Sequence, residues 1–169
     1  MKTFIFTAIA LSFSLTVNAQ GLFAPTAKPV ADCLINMDMD HFSGAWFEIS
    51  RLPNAVDSDL KNVSISFETK DKSVKRSVTG YKENGRKVNV TGKLIYHGCG
   101  TFTGTDGGVY IVLYVDDDYQ HILMGTPDHK YLWIMSRTPD MSTVAYNRLI
   151  AKATALNYNV ADVQLTNQK

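Results

Sequence analysis

The side chains that could do chemistry are four histidines, two cysteines and one run of three aspartates. Imidazoles hold a metal when they converge at fixed spacings such as HExxH, and His41, His97, His121 and His129 show none of these. No Ser, Cys or His sits in a nucleophile motif. Asp116-Asp117-Asp118 supplies carboxylates but lacks the ligand pattern of an EF-hand loop, and it reads as a solvated hairpin turn. The expectation is a protein that binds rather than catalyses, with no catalytic residue, metal site or cofactor. Asn62-Val63-Ser64 and Asn89-Val90-Thr91 are N-glycosylation sequons, which matter only in a eukaryotic source.

Cys33 and Cys99 depend on the compartment, and the chain start speaks to that. Met1-Lys2 is a short basic start, Phe4 to Val17 is apolar apart from Ser and Thr, and Val17-Asn18-Ala19 places small residues where a signal peptidase cuts. A buried N-terminal strand or helix is the other reading. Residues 1–19 are thus read as a signal peptide, 20–35 as a flexible leader carrying Pro25 and Pro29, and 36–169 as one domain. The apolar stretch is too short to span a bilayer. In an exported chain two cysteines imply one disulfide, Cys33 to Cys99, closing a long loop worth roughly 2–4 kcal/mol; two separate thiols are the alternative. A lipid anchor on Cys33 is disfavoured, because Asp32 stands where a small residue is wanted. Export to the periplasm or the extracellular space without an anchor is expected. Loss of Lys2 leaves 16 Lys+Arg against 16 Asp+Glu, and near-neutrality argues against nucleic acid and against a purely electrostatic membrane dock.

The elements that must position any site are strands. Residues 46–52 form the first. Asn62–Thr69 alternates, with Val63, Ile65 and Phe67 on one face. Ser73–Tyr81 and Lys87–Tyr96 flank Asn84-Gly85, a pair that supplies the positive φ of a hairpin turn. Cys99–Gly104 is weak, Val109–Val115 is strong, and Gln120–Met124 and Tyr131–Arg137 follow. Turn signals about every 8–12 residues predict an up-and-down barrel or a sandwich, and a closed barrel leaves no free edges. Beyond Thr138-Pro139 a helix is predicted, with Asp140 as N-cap, an apolar stripe of Met141, Ala145, Leu149, Ala153 and Leu156, and Asn157 ending it in the left-handed conformation. Its stripe must pack on the outside of the barrel. Residues 160–165 form a last short strand.

The stretch from Met37 to Ile49, with Gly44-Ala45-Trp46 and Phe47-Glu48-Ile49, resembles the opening signature of the lipocalins. Asp117-Asp118-Tyr119 resembles the second signature, between strands six and seven, and Ser136-Arg137-Thr138-Pro139 the third. Tyr119 to Pro139 is most similar to the bacterial lipocalin, plant temperature-induced lipocalin and apolipoprotein D group. The resemblance implies an all-β fold: an eight-stranded up-and-down antiparallel barrel, one C-terminal helix packed outside, and a final short strand. It implies structural roles for Gly44, Trp46 and Arg137, with the guanidinium laid across the indole to seal one end of the barrel. The segment between Tyr96 and Val109 is shorter than is usual in the family, so strand five or its hairpin is cut down. The family's better-known bridge joins an N-terminal cysteine like Cys33 to one on strand seven, and that strand has none here.

Alternation from these anchors then proposes a lining. Tyr131, Trp133 and Met135 share a face with Arg137, and Glu48 and Ser50 share one with Trp46. Val63, Ile65, Phe67, Val90, Leu94, Tyr96, Leu113, His121 and Leu123 complete the expected ligand contacts. The implied partner is a small apolar molecule, a fatty acid or lysophospholipid, carried by a monomer or homodimer, with no nucleic acid and with peripheral membrane contact compatible. A protein-binding module on the same barrel and an isomerase-type lipocalin are the alternative functions.

Overall fold

In a computed structural model, residues 37–54 and 59–169 are described. The expected signal peptide, the leader and Cys33 lie outside the described residues. The helical turn α1 (Met39–Phe42) leads into β1 (Gly44–Arg51), β2 (Lys61–Lys70), β3 (Ser73–Tyr81), β4 (Lys87–Tyr96), β5 (Thr101–Gly104), β6 (Val109–Val115), β7 (His121–Gly125) and β8 (Leu132–Ser136). Helix α2 (Thr143–Ala155), a short 3-10 turn (Val160–Asp162) and β9 (Gln164–Leu165) follow. Each strand from β1 to β8 pairs antiparallel with the next, and β1 pairs with both β2 and β8, so eight strands close on themselves. The up-and-down barrel expected from the sequence is the architecture found, with β9 added beside β1.

Inside–outside alternation of the strands divides the apolar residues between two clusters. The inner one holds Phe42, Trp46, Val63, Ile65, Phe67, Leu94 and Phe102. The outer one places Leu149 and Ala153 of α2 against Leu123, Leu132 and Ile134. The helix therefore buries its predicted stripe on the outside of β7 and β8. Asn157 does end it with φ 63. Its start differs from the expectation: the N-cap is Ser142, whose hydroxyl accepts the Ala145 N–H at 3.2 Å, not Asp140. Ahead of that cap the chain bends over residues 137–139, and the Thr138 hydroxyl donates to the Asp140 carbonyl at 2.7 Å. The expected 160–165 strand is likewise only Gln164–Leu165, its first half being the 3-10 turn.

β1 leaves β2 after Phe47, and the C-terminal segment fills the split. Thr166 N–H donates to Ile49 carbonyl at 2.9 Å, and Asn62 N–H to Asn167 carbonyl at 2.7 Å. The Gln168 amide donates to the carbonyls of Glu48 and Val63 at 2.6 and 2.9 Å. Backbone groups that the split would have left without partners are thereby satisfied.

Candidate functional site

One end of the barrel is a solid floor. Asp38 caps α1 by accepting the N–H groups of Asp40 and His41 at 2.8 and 3.1 Å, so Phe42 turns inward, where it is fully buried. Phe42 meets Phe67 at 4.6 Å and Phe102 at 5.5 Å between ring centroids. Trp46, also fully buried, donates its indole N–H to the Phe42 carbonyl at 2.9 Å. The Arg137 guanidinium lies 3.7 Å from the Trp46 ring centroid, a cation–π stack worth roughly 0.5–2 kcal/mol. It also donates to the carbonyls of Ala45 and Ser43 at 2.8 and 2.9 Å, of Tyr119 at 3.2 Å, and of His41. Gly44 has φ 98, and a Cβ there would stand 3.3 Å from the guanidinium, so this position needs glycine. The three residues assigned to the floor come together as the resemblance implied.

Above the floor lies a chamber of about 640 Å³, within the usual range of small-molecule sites. Of the expected lining, Glu48, Ile65, Phe67, Val90, Tyr131, Trp133 and Met135 form its walls. Val63 and Leu94 point inward but are buried in the packed cluster, and Tyr96 lies half-buried on Phe102 at 5.0 Å.

Four expected lining residues require correction. Leu123 pairs with Ile134 and His121 with Ser136, and directly paired residues share a face, so both point outward. Leu123 packs under α2. The His121 ring meets the Asp116 carboxylate at 2.6 Å in the β6–β7 turn. Leu113 sits at a bulge between Val112 and Tyr114, which turns it to the outer cluster. Ser50 follows a second bulge, between Glu48 and Ser50; it pairs with Ile134 and is buried on the outer face, while Arg51 pairs with Trp133.

The same pairings identify wall residues that the sequence reading missed. Met124 faces Trp133 across β7 and β8, and Tyr110 faces Phe102 across β6 and β5. On β3 the row Val74, Arg76, Val78 points inward, opposite Leu94, Gly92 and Val90. That row alternates in the sequence, with an arginine in its middle.

The chamber has few polar points. Glu48 is fully buried; Arg51, 4% exposed, donates to its carboxylate, and the Thr166 hydroxyl donates to it at 2.6 Å. Asp128 accepts from the Thr126 hydroxyl at 2.6 Å, a bond that, with the Lys130 backbone and ammonium groups, holds its carboxyl below the ordinary value. Outside the chamber, in the outer cluster, the Tyr158 hydroxyl donates to the Thr126 carbonyl at 2.8 Å and is pushed up to about 12 by burial and by Asp128. Among the described residues, no group of three or more His, Cys, Asp or Glu side chains is placed to hold a metal ion.

The wall is low on one side. β4 and β5 pair only at Leu94–Gly104, Ile95–Thr103 and Tyr96–Phe102, because β5 is four residues long. The stunted strand expected from the sequence thus leaves the edge of β4 from Lys87 to Gly92 open, and inward-facing Val90 is 44% exposed. The opening is a notch whose sill is Asp106, Gly107, Gly108 and Tyr110.

A barrel floored by a tryptophan–arginine stack around an apolar chamber belongs to the class of closed β-barrels that enclose an internal cavity. The family model described as a lipocalin-like domain matches residues 37–168, and the chain belongs to the lipocalin family. It is similar to the outer membrane lipoprotein Blc of Escherichia coli strain K12, 29% identical over 147 residues that cover 82% of this chain and 83% of that one. It is similar also to temperature-induced lipocalin-1 of Arabidopsis thaliana, 28% identical over 160 residues that cover 85% of this chain and 86% of that one. Among solved structures, lobster apocrustacyanin A1 superposes with a TM-score of 0.65 at 15% identity, covering 78% of this chain and 80% of its own. Insecticyanin of the tobacco hornworm Manduca sexta gives 0.61 at 16%, covering 82% and 85%.

Proposed function

We propose that the protein is an exported, non-catalytic carrier of a fatty acid or lysophospholipid, held with its chain inside the barrel. The observation that carries this reading is the chamber itself: about 640 Å³, walled by Ile65, Phe67, Val78, Met124, Trp133 and Met135 and blocked below by the floor. Each acyl methylene buried there gains roughly 0.8 kcal/mol in transfer terms, part of it offset by lost entropy, so micromolar affinity is expected. Export is supported by the apolar start of the chain and by the name of the Escherichia coli relative, an outer membrane lipoprotein. In an oxidising compartment Cys33 and Cys99 form a disulfide; Cys99 lies in the turn ahead of β5, and no described cysteine is free.

Titration with a fluorescent fatty acid, followed by competition with saturated acids of increasing length, tests the reading. Affinity rises with length until the chamber is full. Absence of binding, or binding that ignores length, removes the carrier reading and favours a protein-binding barrel.

A further inference from the structure

Most charges that line the chamber are answered by the protein. Glu48 has Arg51 and Thr166, and Asp128 has Thr126 and Lys130. Asp106 uses one oxygen to accept the Gly108 N–H at 2.9 Å and the other to accept the Tyr110 hydroxyl at 3.2 Å. Those bonds, the Gly108 one foremost, together with the charge of Arg76, hold its carboxyl below the ordinary value. Arg76 is different. Its side chain is half-buried on the inward face of β3, in a row otherwise made of Val74, Val78 and Gly80. Among the described residues no acceptor takes its N–H groups and no carboxylate lies within ion-pair distance. Its guanidinium sits 4.7 Å from the centroid of the Tyr110 ring.

Two glycine positions place it there. Arg76 pairs with Gly92, and a Cβ on Gly92 would come within 3.8 Å of Nη2, so the side chain crosses β4 where no side chain opposes it. Gly104, paired with Leu94, ends β5 at the last β4–β5 contact, and a Cβ there would collide with Asp106. The cation therefore stands at the sill of the notch, where the chamber meets water. A guanidinium presents five donors in a planar fork that matches a carboxylate or a phosphate.

We propose that Arg76 receives the head group of the ligand, and that the ligand is an anionic single-chain amphiphile whose head sits in the β4–β6 notch while its chain enters the chamber. This rests on the carrier reading, and it adds a residue, a portal and a charge to it. Leaving through the side rather than along the barrel axis lets the head stay hydrated on one face while it engages the guanidinium on the other. Charge-assisted hydrogen bonds of this kind exceed neutral ones by about tenfold or more in affinity.

Binding of dodecanoic acid, dodecyl phosphate and dodecanol to the full protein tests the proposal, by displacement of a fluorescent probe at a pH where the acid is ionised. The alcohol has the same chain and no charge. The wild type should bind at least one of the two anions about tenfold tighter than the alcohol, and which one it prefers tells a carboxylate head from a phosphate head. Arg76→Met should abolish that preference, the anions and dodecanol then binding with equal affinity, while cooperative urea unfolding as in wild type shows that the barrel is intact. Arg76→Lys should retain part of it. Equal wild-type affinity for anions and alcohol overturns the role of Arg76 and leaves the carrier reading standing. A preference that survives in Arg76→Met overturns it too. If none of the three binds, the carrier reading falls and this inference falls with it.

Discussion

The two ends of the barrel are built on opposite terms. At the floor every strong polar group has a partner: the Trp46 indole N–H, the Arg137 guanidinium and the Asp38 carboxylate all engage backbone atoms. The aromatic rings there are fully buried. At the notch a strand stops early, a valine that faces inward is nearly half exposed, and a cation stands without a hydrogen bond among the described residues. Saturated, close-packed groups stabilise a fold, whereas apolar surface and donors left over are what a guest can complete. The difference separates residues that hold the barrel from residues that select its contents.

The largest expected effect lies at the floor. Trp46→Ala should destabilise by about 3–5 kcal/mol in urea unfolding, as for other buried aromatic truncations. Arg137→Ala should cost less, and the double variant less than the two losses added together, since both act on one stack. Strict additivity in that cycle would remove the stack as a unit of stability.

Next come adjacent residues of β7 on opposite faces. Leu123→Ala, beneath α2, should lower stability by about 2–5 kcal/mol and leave acyl-chain affinity unchanged. Met124→Ala, on the chamber wall, should also weaken ligand binding severalfold. Equal effects of the two on affinity would contradict the facing assigned from the β7–β8 register.

A smaller effect belongs to the wall above. Trp133→Ala should weaken binding about tenfold while far-UV dichroism and cooperative unfolding persist, in contrast to Trp46→Ala. Ligand should also change the Trp133 fluorescence, because the indole lines the chamber beside Tyr131 and Tyr110. No spectral change on saturation would place the ligand elsewhere.

The smallest effect is at Asp116, in the β6–β7 turn beside the floor. Burial alone would raise its carboxyl. The N–H groups of Gln120 and His121 and the His121 ring outweigh that and hold it below the ordinary value. A carboxyl lower in the folded than in the unfolded state stabilises above its unfolded value, near pH 4, and loses that stabilisation as pH falls through the folded one. Asp116→Asn should therefore cost about 1 kcal/mol at neutral pH, and the gap to wild type should close on acidification below pH 4. A gap independent of pH would show that the carboxylate charge contributes nothing.

The strands and the outside helix could be read along the chain, because each rests on a local pattern, whereas closure into a barrel rather than a sandwich, and the floor, were implied by the resemblance to the lipocalins. Period-two alternation marks a strand whatever lies beside it, and Met141 to Leu156 at helical spacing must cover something apolar. The stunted β5 was legible as well, because the resemblance sets a usual length and too few residues separate Tyr96 from Val109 to meet it. Which face each residue presents was legible only near an anchor. From Arg137, alternation places Met135, Trp133 and Tyr131 correctly; from Trp46 it is right at Glu48 and wrong at Ser50, because a bulge intervenes. Bulges leave little mark in a sequence, since the extra residue is set by the pairing of neighbouring strands and not by its own type. The same limit reversed Leu113 on β6, and for want of an anchor Leu123 and His121 were assigned to the wrong face of β7. Arg76 shows that limit in another form. The sequence determined that residues 73–81 form a strand; only closure of the barrel put one face of it around a cavity, set Gly92 opposite the arginine, and ended β5 low enough to leave the cation at an opening.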